Sequence, residues 1–237
     1  NTSEARIDND EYDKESIHDF ALWKKQKKGE PAWEFEVDGK DMAGRPGWHI
    51  ECSAMSEKAL GLPFDIHTGG IDLIFPHHEN EIAQSEAAND VPFVHYWMHY
   101  HFLQVEGQKM SKSLGNFFTI DDIKKRGIDP MAFRLLLLQS HYRQPMNFTW
   151  QALLATQEAY RKLKVEVKAL RDQIHVMNDF MPDVNLLETF LGFMENDLQT
   201  PQAVALLFTM IKSDRSAEEK LSFLTDADAL LGLQLLK

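Results

Sequence analysis

One cysteine, Cys52, stands in 237 residues, which excludes a disulfide within the chain and suits a reducing compartment. No run of eighteen apolar residues occurs, which excludes a membrane-spanning helix in this sequence. The opening Asn1-Thr-Ser-Glu-Ala-Arg is polar and acidic, unlike a signal peptide. A soluble cytoplasmic protein is the expectation, with no membrane partner. Basic charge is also short, 25 Lys and Arg against 37 Asp and Glu for a net charge of -12. That balance argues against a protein that coats nucleic acid indiscriminately, because such binding comes from neutralised phosphates. It leaves room for a local basic patch. Internal repeats and low-complexity segments are missing too. The chain opens without Met in a charged, turn-rich passage, so a piece of a longer protein is expected.

What is present is 43% apolar, enough to bury a sizeable core. Residues 1–45 read as a charged connector, in which residues 17–25 could form one short strand or helix. The turn Gly44-Arg45-Pro46-Gly47 leads into a helix over residues 48–60 ended by Gly61. Residues 64–70 read as a strand running into Gly69-Gly70, and residues 75–88 as a helix. Strand, glycines and helix are the grammar of an α/β layer, whose ligands sit beyond the carboxyl ends of the strands. Residues 102–105 form a further strand, and Thr119 caps a helix. From Asp129, an N-cap followed by Pro130, the pattern is almost wholly helical. Leu153, Tyr160, Leu163, Val167, Leu170 and Ile174 lay one apolar stripe along a long helix. Helices follow over residues 184–195, 201–212 after a Thr200 cap, and 217–231 after Ser216 with Glu219 completing a capping box. The fold class is therefore α/β followed by all-α, with domains 1–148 and 149–237.

Two constellations carry chemistry. His77 and Glu81 are four apart, so a helix sets them on one face, and Cys52 comes from the neighbouring helix. Thiolate, imidazole and carboxylate together are a donor set that Zn²⁺ accepts. A small core cysteine beside a surface His/Glu pair is the plainer reading of the same residues. His78 lies about 100° further round a helix from His77 and should not share its metal. His78-Glu79 fails as a metalloprotease motif, since position 82 is Ile. The second constellation is Gly107-Gln-Lys109-Met-Ser-Lys112-Ser-Leu-Gly115-Asn116, a loop between a strand and a helix. Lysines free to move on such a loop can meet the negative charge that builds as a nucleoside triphosphate loses pyrophosphate. A solvated basic turn is the alternative.

Lys109-Met-Ser-Lys-Ser resembles the second signature of the class I aminoacyl-tRNA synthetases. Gly47-Trp48-His-Ile-Glu-Cys52, Asp65-Ile-His67-Thr-Gly-Gly-Ile-Asp72 and Pro76-His77-His-Glu-Asn-Glu81 precede it, and in that order and spacing all four resemble the cysteinyl-tRNA synthetase family. The match runs through most of residues 44–150. Asn196-Asp-Leu-Gln-Thr-Pro-Gln202 is similar to part of that family's helical tRNA-contacting domain.

The resemblance implies the second half of a Rossmann-like catalytic domain followed by a helical bundle. It implies that Cys52, His77 and Glu81 are three of four ligands of one zinc per subunit, which holds the substrate thiolate. It places Trp48, His67 and Asp72 at the amino-acid pocket, and Gly69, Gly70, Lys109 and Lys112 at the ATP site. The implied reaction joins L-cysteine to ATP with Mg²⁺, giving cysteinyl-adenylate and pyrophosphate, and then passes the acyl group to tRNA. A monomer is expected. The family's first His-x-Gly-His type signature and its fourth zinc ligand are absent here, and both are expected upstream of Asn1; the small anticodon-reading domain is absent as well. The sequence as given is therefore expected to be inactive alone. A ligase that joins cysteine to an amino sugar, or a non-catalytic RNA-binding fragment, are the alternative readings.

Overall fold

A computed structural model of the chain describes residues 19–174 and 183–237. They fall into two compact units that divide after Tyr100. The boundary that the sequence suggests near residue 148 falls where the strand Met146–Phe148 is followed by the helix Trp150–Gln173.

In the first unit the segment read as a connector forms two short antiparallel ribbons. Strand β1 (Trp23–Lys25) pairs with a strand at Gly44–Pro46, and residues between them fold back as β2 (Glu36–Val37) and β3 (Lys40–Asp41). The Gly44–Pro46 strand is β4. Trp23 Nε1 donates to the Met42 carbonyl at 2.7 Å. Ile17 lies outside the described residues. A Cβ at Gly47 would stand 1.8 Å from the Ala21 carbonyl oxygen, so the close backbone approach that ends this ribbon requires glycine.

Helix α1 (Trp48–Leu60) follows and stops at Gly61, whose φ of 77° only glycine adopts readily. Strand β5 (Phe64–Gly70) pairs in parallel with β6 (Val94–Tyr100), Phe64 opposite Val94 and Gly70 opposite Tyr100. Parallel pairing demands a crossover, here residues 71–93. The helix expected from residue 75 starts later: Phe75 precedes Pro76, which disfavours the helical region, and it stays extended at φ −129°, ψ 134°. Ile74–His78 make a widened turn before α2 (Glu79–Asn89).

The second unit begins with the hairpin of β7 (Leu103–Val105) and β8 (Gln108–Lys109). Glu106 and Gly107 between them both have positive φ, 50° and 76°, as a tight two-residue turn requires. Strand β9 (Met146–Phe148) adds to β7 in parallel. The helices are α3 (Ile120–Lys125), α4 (Pro130–Leu138), α5 (Trp150–Gln173), α6 (Val184–Glu195), α7 (Thr200–Lys212) and α8 (Ala217–Leu231). The expected caps at Thr119, Asp129 and Ser216 are in place. Thr200 is no cap: the left-handed pair Asp197 and Leu198 turns the chain so that Gln199 precedes the helix and Thr200 is its first residue.

Of the expected stripe on α5, Leu153, Tyr160, Leu163 and Val167 are buried, and Leu170 and Ile174 pack half-buried on the same core. Each buried aliphatic side chain there contributes about 1.5–3 kcal/mol. Phe190, Leu207 and Leu224 of the following helices complete that core. Tyr160 donates its hydroxyl to the Leu233 carbonyl at 2.7 Å. Asp197 gathers the segment after α4: Arg143 donates Nε at 2.7 Å and Nη2 at 3.1 Å, and Tyr142 donates its hydroxyl.

Candidate metal centre and lysine loop

The interior of the first unit is polar. Phe64 and Phe93 are its buried large apolar side chains among the described residues, whereas His49, Ser53, His77, His78, Asn80, Glu81 and Ser85 are all buried. Burying polar groups is costly unless each finds a partner, so such an interior points to a site rather than to stability.

Helix α1 brings Cys52 and His49 one turn apart, and the widened turn with α2 delivers His77, His78 and Glu81. Cys52, His77 and Glu81 each offer one donor atom, and these lie within 4.8 Å of one another, as the sequence led one to expect. His67, from β5, forms a second such group with His78 and Glu81. Glu81 is fully buried. Its Oε2 meets His67 Nε2 at 2.6 Å. Its Oε1 lies 2.5 Å from His77 Nε2 but makes no hydrogen bond. Burial pushes the Glu81 carboxyl up, yet the hydrogen bond of His67 and the nearness of both imidazoles outweigh it and hold the group down at about 2. Burial pushes the Cys52 thiol up, with the charges of Glu81 and Glu51 acting the same way. Burial pulls His78 down to about 4 against the charge of Glu81.

The donor set fits a zinc ion: a buried carboxylate kept ionised, one of whose oxygens faces an imidazole nitrogen at 2.5 Å, beside a thiol. A cation among them would also draw the Cys52 proton off, reversing the push of the carboxylates.

Trp48 stands over this cluster, 61% exposed, stacked on His49 at 5.2 Å and on His77 at 4.9 Å between ring centroids. An exposed indole is available to a ligand. Asp72 sits on the turn that follows β5, and a Cβ at Gly70 would come 2.4 Å from its Oδ1. A Cβ at Gly69 would meet His78 Cε1, also at 2.4 Å. The packed His78 ring thus demands glycine at 69, whereas at 70 the contact is with the end of the Asp72 side chain, which can turn aside. Sequence reasoning passed over His49, whose Nδ1 lies 2.8 Å from His77 Nδ1, and over His99, whose Nε2 lies 2.8 Å from His78 Nδ1. The signal for His99 was there in β6, where His95, Trp97 and His99 alternate onto one face.

The lysine loop lies in the second unit. Lys109 ends β8 opposite Gln104, and both lysine side chains are exposed. The loop backbone is tied rather than loose, because Asn116 accepts from Ser111 N at 2.8 Å and donates to the Lys109 carbonyl at 3.0 Å. Ser111 Oγ accepts from Leu114 N at 3.2 Å. Lys109 Nζ stands 6.0 Å from the centre of the Phe102 ring and Lys112 Nζ 5.8 Å from that of Phe117.

The family model for the catalytic domain of tRNA synthetases class I (C) matches residues 1–158. The chain is 46% identical over 256 residues to the cysteine–tRNA ligase of Chlamydia muridarum, covering 97% of this chain and 53% of that protein. It is 50% identical over 194 residues to the cysteine–tRNA ligase of a Picosynechococcus species, covering 82% of this chain and 40% of that one. The chain spans about half the length of the curated relatives it matches. Among solved structures, the LeuRS of Agrobacterium radiobacter in its ternary complex with tRNA and LeuAMS is similar with a TM-score of 0.59 at 16% identity, covering 85% of this chain and 32% of that one, a likeness of fold. On the family model and these identities, this chain belongs to the class I (C) tRNA synthetase family.

Proposed function

We propose that the protein to which this chain belongs activates L-cysteine with ATP and transfers it to tRNA, and that a zinc ion held by Cys52, His77 and Glu81 selects the substrate. The observation that carries the reading is the gathering of a fully buried carboxylate, Glu81, with an imidazole and a thiol whose donor atoms all lie within 4.8 Å of one another. Zinc bound there would offer a thiolate an open position and so separate cysteine from serine, a pair that shape alone distinguishes poorly.

The chain's own residues do the rest. Trp48 and Asp72 would line the amino-acid pocket, and the exposed indole of Trp48 offers it an apolar wall. The cysteine carboxylate attacks the α-phosphorus of ATP, the bond to the β-phosphate oxygen breaks, and pyrophosphate leaves with its Mg²⁺. Lys109 and Lys112 would meet the charge on those leaving oxygens, and Gly69 and Gly70 would let backbone approach the nucleotide. A hydroxyl of the terminal adenosine of tRNA then attacks the acyl carbon of the adenylate, the acyl–phosphate bond breaks, and AMP leaves. In the helical part, Arg161, Lys164, Lys168 and Arg171 follow one face of α5 along a cavity of about 810 Å³, a basic stripe on an otherwise acidic chain that suits RNA phosphates. A monomer in the cytoplasm completes the reading; no described helix is long and apolar enough to cross a membrane.

Cysteine-dependent exchange of labelled pyrophosphate into ATP by the full-length protein tests the first stage, and charging of tRNA against an amino-sugar acceptor tests the second. Exchange with no cysteine dependence would refute the proposal.

A further inference from the structure

A metal donor must be aimed, and an imidazole or carboxylate is aimed by what its other polar atom bonds. Both buried donors of the cluster are divided in this way. Glu81 places Oε2 against His67 Nε2 at 2.6 Å and leaves Oε1 without a hydrogen-bond partner. His77 places Nδ1 against His49 Nδ1 at 2.8 Å, while its Nε2 faces that same Oε1 at 2.5 Å. Two imidazole nitrogens at hydrogen-bond distance share one proton. With His77 Nδ1–H donating to His49, the His77 Nε2 lone pair is left for a cation. With His67 Nε2–H donating to Oε2, the remaining lone pairs of Glu81 point the same way.

We propose that His67 and His49 are positioning residues, which fix Glu81 Oε1 and His77 Nε2 toward one shared cation. The inference rests on the zinc reading above and gives His67 a place behind the metal ligands in exchange for the amino-acid contact that the resemblance implies. Both rings are themselves held. His67 packs against Trp97 at 4.7 Å, with Phe64 and Phe93 edge-on at 5.6 and 5.7 Å. His49, 5% exposed, is stacked under Trp48 and meets the edge of Phe20 at 6.0 Å. His49 is shut in the interior and His67, 21% exposed at its side chain, is held by three aromatic rings, so each hydrogen bond constrains its ligand.

The test is zinc affinity of the full-length protein, measured by competition with a chelator, with no reference to activity. His67→Phe keeps a ring in the pocket and removes the donor; affinity should fall about 10–100-fold. His67→Gln, whose amide can donate in place of Nε2, should recover most of it. In the cobalt-substituted protein the thiolate-to-metal absorption should shift in His67→Phe and stay near the parent's in His67→Gln. His49→Phe and His49→Gln should repeat the pattern. If His67→Phe does not fold, His67→Asn decides, since its amide falls short of Glu81 and carries the same expected loss. Parental affinity in a folded His67→Phe or His67→Asn, with cysteine binding lost instead, would overturn the inference and leave the zinc reading standing. A parent protein that binds no zinc would overturn both.

Discussion

Substituting Gly69 separates a packing role from a nucleotide-binding one. A Cβ at this position falls 2.4 Å from Cε1 and 2.8 Å from Nε2 of His78, and 3.2 Å from Leu73 Cδ1. Ordinary contact begins near 3.4 Å, so the His78 ring would have to retreat by about 1 Å. It has nowhere to go: it is 3% exposed, bonded to His99 at 2.8 Å, and packed against Trp97 and His67 at 4.8 and 5.0 Å. Overpacking of this kind costs about 1–3 kcal/mol. Gly69→Ala should therefore lower the urea midpoint of the full-length protein with an unchanged slope. The cause can be isolated with His78→Ala, which removes the clashing ring. In the double variant Gly69→Ala/His78→Ala the glycine substitution should cost clearly less than it does alone, with a coupling of about 0.5–3 kcal/mol. Additive effects, or a stable Gly69→Ala protein whose only defect is a raised KM for ATP, would refute the packing argument and assign the glycine to the nucleotide alone.

Other substitutions probe the remaining parts. Lys112→Ala should cut adenylate formation about 10²–10³-fold while cysteine affinity stays near the parent's; equal loss in both would make the loop structural. Cys52→Ser should lower zinc content and narrow the discrimination between cysteine and serine, and unchanged zinc by elemental analysis would remove Cys52 from the site. Tyr160→Phe strands the Leu233 carbonyl in the helical core and should cost about 1–3 kcal/mol in urea unfolding. Burial pushes the Tyr160 hydroxyl up to about 12, with the charges of Asp129 and Asp228 adding to it. The folded state thus keeps a proton that the unfolded chain gives up near 10, and the stability from this group should be full below pH 10 and lost as pH rises toward 12. A flat alkaline profile in the parent would contradict the burial.

Local signals were the legible ones. Gly61 ends α1 at the expected residue, the Thr119, Asp129 and Ser216 caps start their helices, and the α5 stripe packs inward, because each is decided within a turn or two of chain. The trio Cys52, His77 and Glu81 was legible through spacing and resemblance, and its donor atoms do come together. Pairing at a distance was not. The ribbon joins Trp23 to Pro46 across more than twenty residues that are rich in charge, so nothing local marks it. The division after Tyr100 has no compositional sign, since β6 and β7 are separated by His101 and Phe102 alone. The late start of α2 could have been read from Pro76. The histidines behind the ligands could not, because a proton shared between His49 and His77 depends on how two elements pack.

The central claim is that Cys52, His77 and Glu81 hold a zinc that takes the thiolate of cysteine. X-ray absorption at the zinc edge of the full-length protein tests it most directly, with and without cysteine. The account predicts mixed sulfur and nitrogen or oxygen ligation, one further sulfur at about 2.3 Å when cysteine is added, and no change with serine. A spectrum that cysteine leaves unaltered, or one without sulfur at all, would contradict it.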